Sequence, residues 1–269
     1  MFARNFTYNG ISLSSFGEDL HVVSFTDVND DDREILARNV MRSDIRYDQP
    51  LTYDYGAVDS SVYSFDMSIA HTGDTQEFLS KSEVGALTGW LMAPVEPQWI
   101  SFVGCTSEYE DVYFKGRFTR SSYVEQGTNK FGITFHFENI APYGFTQEFT
   151  YNAVSTANDG AGFNITNLGT YVGKTVVPRI TINPTATGTI TINNTADHSQ
   201  GAFSINVMRG ESITIADYNV VYTNSGEFYD LNNLNNFNWV VLKDGVNPIA
   251  VTGACEIEIK TRYYEAIGV

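Results

Sequence analysis

The sequence predicts a mainly β protein, with an N-terminal β-sandwich-like domain that carries one α-helix and a projecting hairpin, and a C-terminal β-sandwich. Two observations predict this class. Aromatic residues make up 14% of the chain, which favours strands over helices. Short segments of alternating apolar and polar residues recur along the chain, separated by turns that contain Gly, Asn or Pro. A length of 269 residues is sufficient for one large domain or two smaller ones.

The first half begins with a hairpin signal and continues with well-spaced strands. Asn9-Gly10 lies beside alternating aromatic residues, and Asn-Gly favours the tight turn in which both central residues have positive φ. Alternating or β-prone segments predict further strands over 21–25, 63–69, 99–103, 112–119 and 131–137.

One helix is predicted over residues 74–93. Asp74 followed by Glu77 has the spacing of a capping box, and Pro94 should end the helix. The apolar residues expected on one helical face are Leu79, Ala86, Leu87, Trp90 and Leu91. Two internal glycines weaken the helix, so packing of its apolar face onto a sheet must stabilise it.

Residues 35–55 combine extended stretches with polar residues and predict a long hairpin or projecting loop. The strand pattern then breaks at Asn139-Ile140-Ala141-Pro142-Tyr143-Gly144. We therefore place the domain boundary there, which gives domains over 1–145 and 146–269.

The second half is rich in Thr, Asn, Gly and Ile, and its strands are short and regularly spaced. Strands are predicted over 179–182, 189–192, 203–207, 212–215, 239–242 and 255–260. Turns that follow each other after roughly eight to twelve residues are typical of a β-sandwich. We expect no helix after residue 145.

Charge and cysteine content narrow the function. A net charge of −16 argues against a surface that grips nucleic acid, because such affinity depends on Lys and Arg at phosphates. No segment is apolar and long enough to span a bilayer, and the start has no apolar signal core, so we expect folding in a cytoplasm. Cys105 and Cys255 are expected to be buried free thiols, with a long-range disulfide as the alternative.

No cofactor, metal or catalytic site is predicted. Residues 27–32 resemble a calcium loop, but Asp32 and Arg38 occupy the positions that require Gly and Glu, so a solvated turn is expected. The four histidines are His21, His71, His136 and His198, and no two of them have metal-ligand spacing. No nucleophile elbow is present. These patterns predict a protein that is not an enzyme.

A series of motifs in a fixed order resembles the distal tail (Dit) proteins of long-tailed bacteriophages. In the first half, the matching motifs are residues 6–10 and 15–17 near the start, the helical segment, and a final strand followed by a proline and an aromatic residue over 135–143. The second half contributes 167–171, 178–182, 188–192, 213–217 and the closing stretch 242–249 followed by Gly253 and the final strand. No single motif is diagnostic, and the resemblance rests on their order over nearly the whole chain.

This resemblance implies a galectin-like C-terminal sandwich and a homohexameric ring at the distal end of a virion tail, assembled in the host cytoplasm. Its partners would be the tail tube protein, the tape-measure protein, and a tail-associated lysin or fibre and receptor-binding proteins. DNA would pass through the ring without specific binding. An open sheet edge invites pairing with another chain. We therefore expect the projecting segment to reach a neighbouring subunit, through contacts at Ile35, Tyr47, Leu51, Tyr53 and Tyr55.

The alternative function is a carbohydrate-binding β-sandwich module of a tail or baseplate. Its candidate sugar-contacting residues are the aromatic Tyr218, Tyr222, Tyr229 and Trp239. The galectin sugar-binding signature is absent, however, because Asn247-Pro248 is followed by Ile249 and not by Arg. The galectin resemblance is therefore one of fold, which does not by itself carry function.

Overall fold

The chain forms two compact units. The computed structural model describes residues 4–27, 38–42, 54–59, 62–72, 78–103, 111–126, 129–199, 201–216, 220–224 and 230–267. The first unit comprises Met1–Gly144 with Ala266–Val269, and the second comprises Phe145–Glu265. The predicted second domain extended to residue 269, whereas the chain returns to the first unit at Ala266 because Ile267 is buried in its core.

The described residues of the first unit form an antiparallel sheet and one α-helix. Its elements are β1 Asn5–Tyr8, β2 Ile11–Ser12, β3 Leu20–Asp27, β4 Arg38–Arg42, β5 Asp54–Asp59, β6 Ser64–His71, α1 Lys81–Met92, β7 Gln98–Val103, β8 Tyr113–Gln126 and β9 Asn129–Asn139. The main path of the sheet runs β2-β1-β7-β8-β9-β6-β3. Strands β4 and β5 form a separate antiparallel pair, as expected for a hairpin in the 35–55 region.

The Asn-Gly hairpin is confirmed. Asn9 has φ of 51° and Gly10 has φ of 73°, and Tyr8 pairs with Ile11 across the turn. Positive φ at both central residues is the geometry whose twist matches that of the flanking strands. This turn starts the sheet by placing β2 beside β1.

The sheet curls until its two ends approach each other. The backbone N–H of Val22 in β3 donates to the carbonyl of Arg4, just before β1, over 3.1 Å. Phe25 of β3 also packs edge-on against Phe102 of β7, with ring centroids 5.6 Å apart. The curled sheet therefore encloses a core of aromatic rings, among which edge-to-face contacts add to the free energy of burial.

The helix begins later than predicted. Its N-cap is Ser80, whose hydroxyl accepts from the backbone N–H of Glu83, while the Glu83 carboxylate accepts from the backbone N–H of Ser80 over 2.8 Å. Asp74 and Glu77 lie outside the described residues. Leu79 precedes the helix because its backbone N–H donates to the carbonyl of Lys130. The helix ends at Met92, before Pro94 as predicted.

Glu83 also fixes the helix to β6. Its Oε1 lies 3.3 Å from Nε2 of His71. Although burial opposes ionisation of this carboxyl, hydrogen bonds from Ser80 and His71 hold the pKa of Glu83 below its ordinary value. One carboxylate therefore caps the helix and contacts the sheet.

The Tyr8 hydroxyl lies in the core, and among the described residues it has no hydrogen-bond partner. Burial raises the pKa of Tyr8 to about 12, against a smaller opposing effect of Arg117. We expect Tyr8→Phe to leave the free energy of unfolding unchanged or to raise it by about 1 kcal/mol, because it removes an unpaired buried hydroxyl. Urea unfolding of both proteins at pH 7 measures this difference.

A high-pH series is the control. Folding favours the neutral phenol of Tyr8. The pH-dependent contribution of Tyr8 to the free energy of unfolding is therefore fully present below the ordinary Tyr pKa of 10, and it is lost as pH rises towards 12. The Phe variant should lack that contribution. A destabilisation of about 2 kcal/mol at pH 7 would show instead that the hydroxyl is satisfied.

The second unit is a sandwich of two antiparallel sheets. Its elements are β11 Phe149–Ser155, β12 Ala161–Asn167, β13 Arg179–Pro184, β14 Gly188–Asn194, β15 Phe203–Val207, β16 Ile213–Ala216, β17 Val220–Thr223, β18 Gly245–Thr252 and β19 Cys255–Thr261. The short strands β10 Gly144–Phe145 and β20 Tyr264–Glu265 pair with each other and belong to neither sheet of the sandwich. The five-stranded sheet has the order β11-β19-β13-β16-β17, and the four-stranded sheet has the order β12-β18-β14-β15. Their inward residues form one core, rich in Ile and Val.

The predicted strand over 239–242 is not regular. Leu242 makes an isolated bridge with Val176, and the carbonyl of Val241 accepts from the Asn194 side chain over 2.7 Å. A side-chain amide thus takes the place of a ladder partner. The segment just before it follows the edge of the four-stranded sheet, where Leu234 bridges to Ile205 of β15.

Cys255 is buried and free, and burial raises the pKa of its thiol. Cys105 lies outside the described residues. The Tyr263 hydroxyl lies 3.0 Å from that of Tyr151, and burial together with this contact raises the pKa of Tyr263. Both groups are held neutral in the core, which gives them a packing role.

Candidate functional site

The proposed inter-subunit contact residues fall mainly outside the described part of the chain. Ile35, Tyr47, Leu51 and Tyr53 lie outside it. Tyr55 lies in β5, whose backbone pairs with β4, and its side chain is not described. Their role in subunit contacts therefore stays a prediction.

A polar row crosses the outward face of the first unit's sheet. The strand register aligns Asp66 of β6, His136 of β9 and Arg120 of β8. Nδ1 of His136 lies 2.6 Å from Oδ1 of Asp66, and its Nε2 lies 3.5 Å from Oε1 of Glu138. Although it points away from the aromatic core, His136 is only 7% exposed. Two carboxylates thus fix the orientation of the ring.

This row does not form a catalytic arrangement. Among the described residues, no hydroxyl or thiol hydrogen-bonds a histidine ring, as a nucleophile activated by a general base would. No group of three or more His, Cys, Asp or Glu in the described residues is placed to hold a metal ion. No helix in the described part of the chain is long and apolar enough to cross a bilayer.

The hairpin formed by the end of β8 and the start of β9 exposes apolar side chains in the first unit. Tyr123 is 47% exposed and Val124 is 44% exposed. The ammonium of Lys130 lies 3.7 Å from the Tyr123 ring centroid, which is a cation–π contact. The alternating pattern of these strands does not reveal this exposed hairpin, because alternation alone does not show where a strand extends beyond its neighbours.

The two described residues among the aromatic residues proposed as sugar contacts, Tyr222 and Trp239, lie on different sheets. Tyr218 and Tyr229 lie outside the described residues. Tyr222 lies in β17 of the five-stranded sheet, whereas Trp239 stacks on Phe203 of the four-stranded sheet with centroids 5.8 Å apart. The cavity beside Trp239 has a volume of about 10 Å³, far below the roughly 300 Å³ of a small-molecule site.

Asp197 lies beside that cavity and is ionised. Its side chain is 5% exposed and its Oδ1 lies 2.8 Å from Nζ of Lys243. Hydrogen bonds from Lys243 and Ser199 lower the pKa of Asp197 to about 2, against the weaker effect of burial. The pair joins the end of β14 to the segment before β18.

The Asp197–Lys243 pair should make the second unit sensitive to acid. The pKa of Asp197 is lower in the folded protein than in the unfolded chain. The pair therefore stabilises the second unit fully above the unfolded pKa near 4, and this stabilisation is lost as pH falls towards 2. We expect Asp197→Asn to remove about 1 kcal/mol at pH 7, because Lys243 partly reaches solvent, and to flatten the pH dependence between 4 and 2. Hydrogen exchange of the second unit at pH 7 and pH 3 measures both effects. An unchanged pH profile would contradict this role.

The two outward faces of the sandwich differ in charge. On the five-stranded sheet the outward residues include Arg179, Glu256, Glu258 and Lys260, and the last two form a 2.9 Å ion pair. The outward positions of the four-stranded sheet hold no charged residue, and we name this set the charge-free face: Gly162, Asn164, Thr166, Thr189, Thr191, Asn193, Ser204, Asn206, Val246, Pro248, Ala250 and Thr252. This face is not visible in the sequence, because it depends on which strands share a sheet.

Two family models together match almost the whole chain. Residues 1–141 match the family described as phage tail protein N-terminal domain. Residues 143–261 match the family described as phage tail C-terminal domain. No curated protein matches the sequence.

Solved structures share the fold over the full length at low identity. The crystal structure of the Dit protein of phage SPP1, described as a paradigm of the hub adsorption apparatus in phages that infect Gram-positive bacteria, has a TM-score of 0.62 and 13% identity, covering 97% of this chain and 100% of that chain. A chain of the phage P2 baseplate in its activated conformation with Ca has a TM-score of 0.59 and 8% identity, covering 98% of each chain. The same baseplate with Sr has a TM-score of 0.55 and 9% identity, covering 96% and 98%.

Proposed function

Because this chain belongs to the phage tail protein family, we propose that it is a distal tail protein that joins the tail tube to the adsorption apparatus of a long-tailed phage. Family membership makes it a non-enzymatic structural component of the virion tail. The observation that carries the proposal is the shared fold, which extends through both units and not through one module alone.

In this role six copies form a ring, with the first unit as the ring domain and the second as the outward galectin-like domain. A head-to-tail interface joins two different surfaces of neighbouring copies. It produces a closed ring when the rotation from one copy to the next is a whole fraction of a full turn. The β4–β5 pair lies off the main sheet, which supports the proposal that the 35–55 segment reaches a neighbour. Ile35, Tyr47, Leu51, Tyr53 and Tyr55 are its proposed contacts.

The ring would leave a channel through which DNA passes without specific binding. The net charge of −16 per copy supports this, because an acidic surface repels phosphates. The proposed partners are the tail tube protein, the tape-measure protein, and a tail-associated lysin or fibre and receptor-binding proteins. Assembly would take place in the host cytoplasm, and the finished ring would lie at the distal end of the tail.

Electron microscopy of intact virions tests this proposal. We expect an antibody or tag on this chain to mark the distal end of the tail, and averaged images to show sixfold symmetry there. Native mass spectrometry of the purified protein should show a species of about 180 kDa, six times the 29.9 kDa chain. Location elsewhere in the virion, or a ring of another symmetry, would overturn the proposal.

Charge insertion in the projecting segment tests the contact residues. The double substitution Tyr47→Asp and Tyr53→Asp should convert the hexamer to monomer, because it places unpaired carboxylates in the interface. Val95→Asp is the matched control, since Val95 is 79% exposed and outside the segment. If the double variant still forms a hexamer, these residues do not lie in the interface.

A further inference from the structure

We propose that the charge-free face of the second unit is the docking surface for a different tail protein, one that presents an uncharged contact surface of its own. This inference rests on the proposed function and names which face of the outward unit carries the attachment. It starts from the contrast between the two outward faces of the same sandwich.

The charge-free face lacks ionised side chains, as the centre of an interface typically does. The buried centre of a protein–protein interface is depleted of charged residues relative to the remaining surface. Charged residues make up 18% of this chain, and the outward face of the five-stranded sheet carries Arg179, Glu256, Glu258 and Lys260. The four-stranded sheet carries none at its outward positions. Burying this face would therefore desolvate no ion.

The side chains of the charge-free face would lose little rotamer freedom on burial. The charge-free face is built from Thr, Asn, Ser, Val, Pro, Ala and Gly, and it lacks the long side chains that lose the most rotamer freedom on burial. Some of its polar groups are already fixed by hydrogen bonds. Thr189 donates to Asn206 over 2.8 Å, and Asn206 donates to Asn235 over 2.8 Å. A partner would meet a surface that is largely ordered beforehand.

The chemistry of the face selects among partners. Nucleic acid or an anionic bilayer would need Lys or Arg, and the face has neither. A sugar would need an aromatic ring to stack on, and none of its outward residues is aromatic. In the proposed ring, copies of this chain contact each other through the first unit, which leaves this face of the second unit for a different protein. An uncharged surface on that protein matches the chemistry of the face.

The dimensions agree with the centre of an interface. Four strands of about six residues cover roughly 15 Å by 20 Å. A stable interface buries about 800 Å² on each partner, so the charge-free face would form the centre and its surroundings the polar rim. Six copies in one ring would add avidity to contacts that are individually modest.

Site-specific cross-linking in virions tests the contact directly. Thr191→p-benzoylphenylalanine and Ala250→p-benzoylphenylalanine place the photoreactive group on the inner strands β14 and β18 of the face. Thr181 and Thr214 are the matched controls, because they are half-buried outward threonines on inner strands of the charged sheet. Irradiated virions are analysed by mass spectrometry of the cross-linked peptides.

We expect cross-links from positions 191 and 250 to one other virion structural protein, at least about tenfold above those from 181 and 214. Equal yields at all four positions, or links to another copy of this chain, would overturn the inference. Retention of the wild-type protein on a glycan array that Thr191→Lys abolishes would also overturn it, in favour of a sugar ligand. If the chain is absent from the distal tail, the proposed function fails instead.

A charge insertion gives the second readout. Thr191→Lys should lower the amount of that partner in purified virions at least about tenfold, because a buried unpaired ammonium opposes docking. Thr181→Lys should leave virion composition unchanged. Both variants should keep the distal sixfold ring, which separates loss of docking from loss of the ring. Normal partner content in Thr191→Lys virions contradicts the proposed docking face.

Discussion

Replacing Trp90 by Ala should lower the free energy of unfolding of the first unit by about 4 kcal/mol, the largest effect that we expect from a single substitution. The indole is sandwiched between Phe6, at 5.3 Å between ring centroids, and Phe16, at 4.7 Å. Its Nε1–H donates to the carbonyl of Tyr8 over 3.2 Å. Truncation therefore leaves a cavity, two rings without their stacking partner and a carbonyl that has lost one hydrogen-bond donor.

Hydrogen exchange over the helix, read by mass spectrometry, measures this effect within one unit of a two-unit chain. Trp90→Phe should cost less, about 2 kcal/mol, because a ring still fills part of the space. Val95→Ala is the control, and it should change stability by less than about 0.5 kcal/mol because Val95 is 79% exposed. Equal protection of the helix in wild type and Trp90→Ala would show that other contacts hold it.

Asn247→Ala should destabilise the second unit by about 3 kcal/mol. Asn247 is fully buried, and its side chain uses all of its hydrogen-bonding capacity. Its Nδ2 donates to the carbonyls of Lys243 and Gly245, at 2.8 Å and 3.0 Å. Its Oδ1 accepts from the backbone N–H of Lys243 and from Nδ2 of Asn194, at 2.8 Å and 2.9 Å. Removal of one amide therefore affects several buried polar groups at once.

The matched control is Asn164→Ala on β12, an exposed asparagine of the same sandwich that should cost less than about 0.5 kcal/mol. Hydrogen exchange of peptides from β18 and β19 measures both variants. The loop over 243–247 should lose protection first in Asn247→Ala, since the amide closes it. An equal loss of hydrogen-exchange protection in Asn247→Ala and Asn164→Ala would mean that the buried hydrogen-bond network does not stabilise the loop.

Local patterns predicted the elements whose signals are short-range. The alternation over 131–137 indicated β9, which spans Asn129–Asn139, and the Asn9-Gly10 turn fixed the first hairpin. The helix start was wrong because the sequence contains two capping-box patterns. The spacing at Asp74 and Glu77 is the same as that at Ser80 and Glu83. The second was selected by long-range contacts, the backbone pairing at Leu79 and the His71–Glu83 contact.

The candidate surfaces depend on register and were not predictable in the same way. Thr189-Ile190-Thr191-Ile192 shows which residues face outward, but not that β14 lies between β18 and β15. The pairing of Thr191 with Thr252 and Ser204 joins residues from distant parts of the chain into one face. Likewise, 239–242 was assigned as a strand because nothing local shows that the Asn194 side chain would replace a ladder partner.

The return of the chain to the first unit has a consequence for biosynthesis. Ile267 is 4% exposed in the first unit's core, yet it is translated only after the whole of Phe145–Glu265. At 5–20 residues per second, a ribosome needs roughly ten seconds to produce that intervening segment. During this interval the nascent N-terminal unit lacks one of its core side chains. Incomplete polypeptides therefore carry a less stable first unit, which would favour incorporation of finished copies into the growing virion.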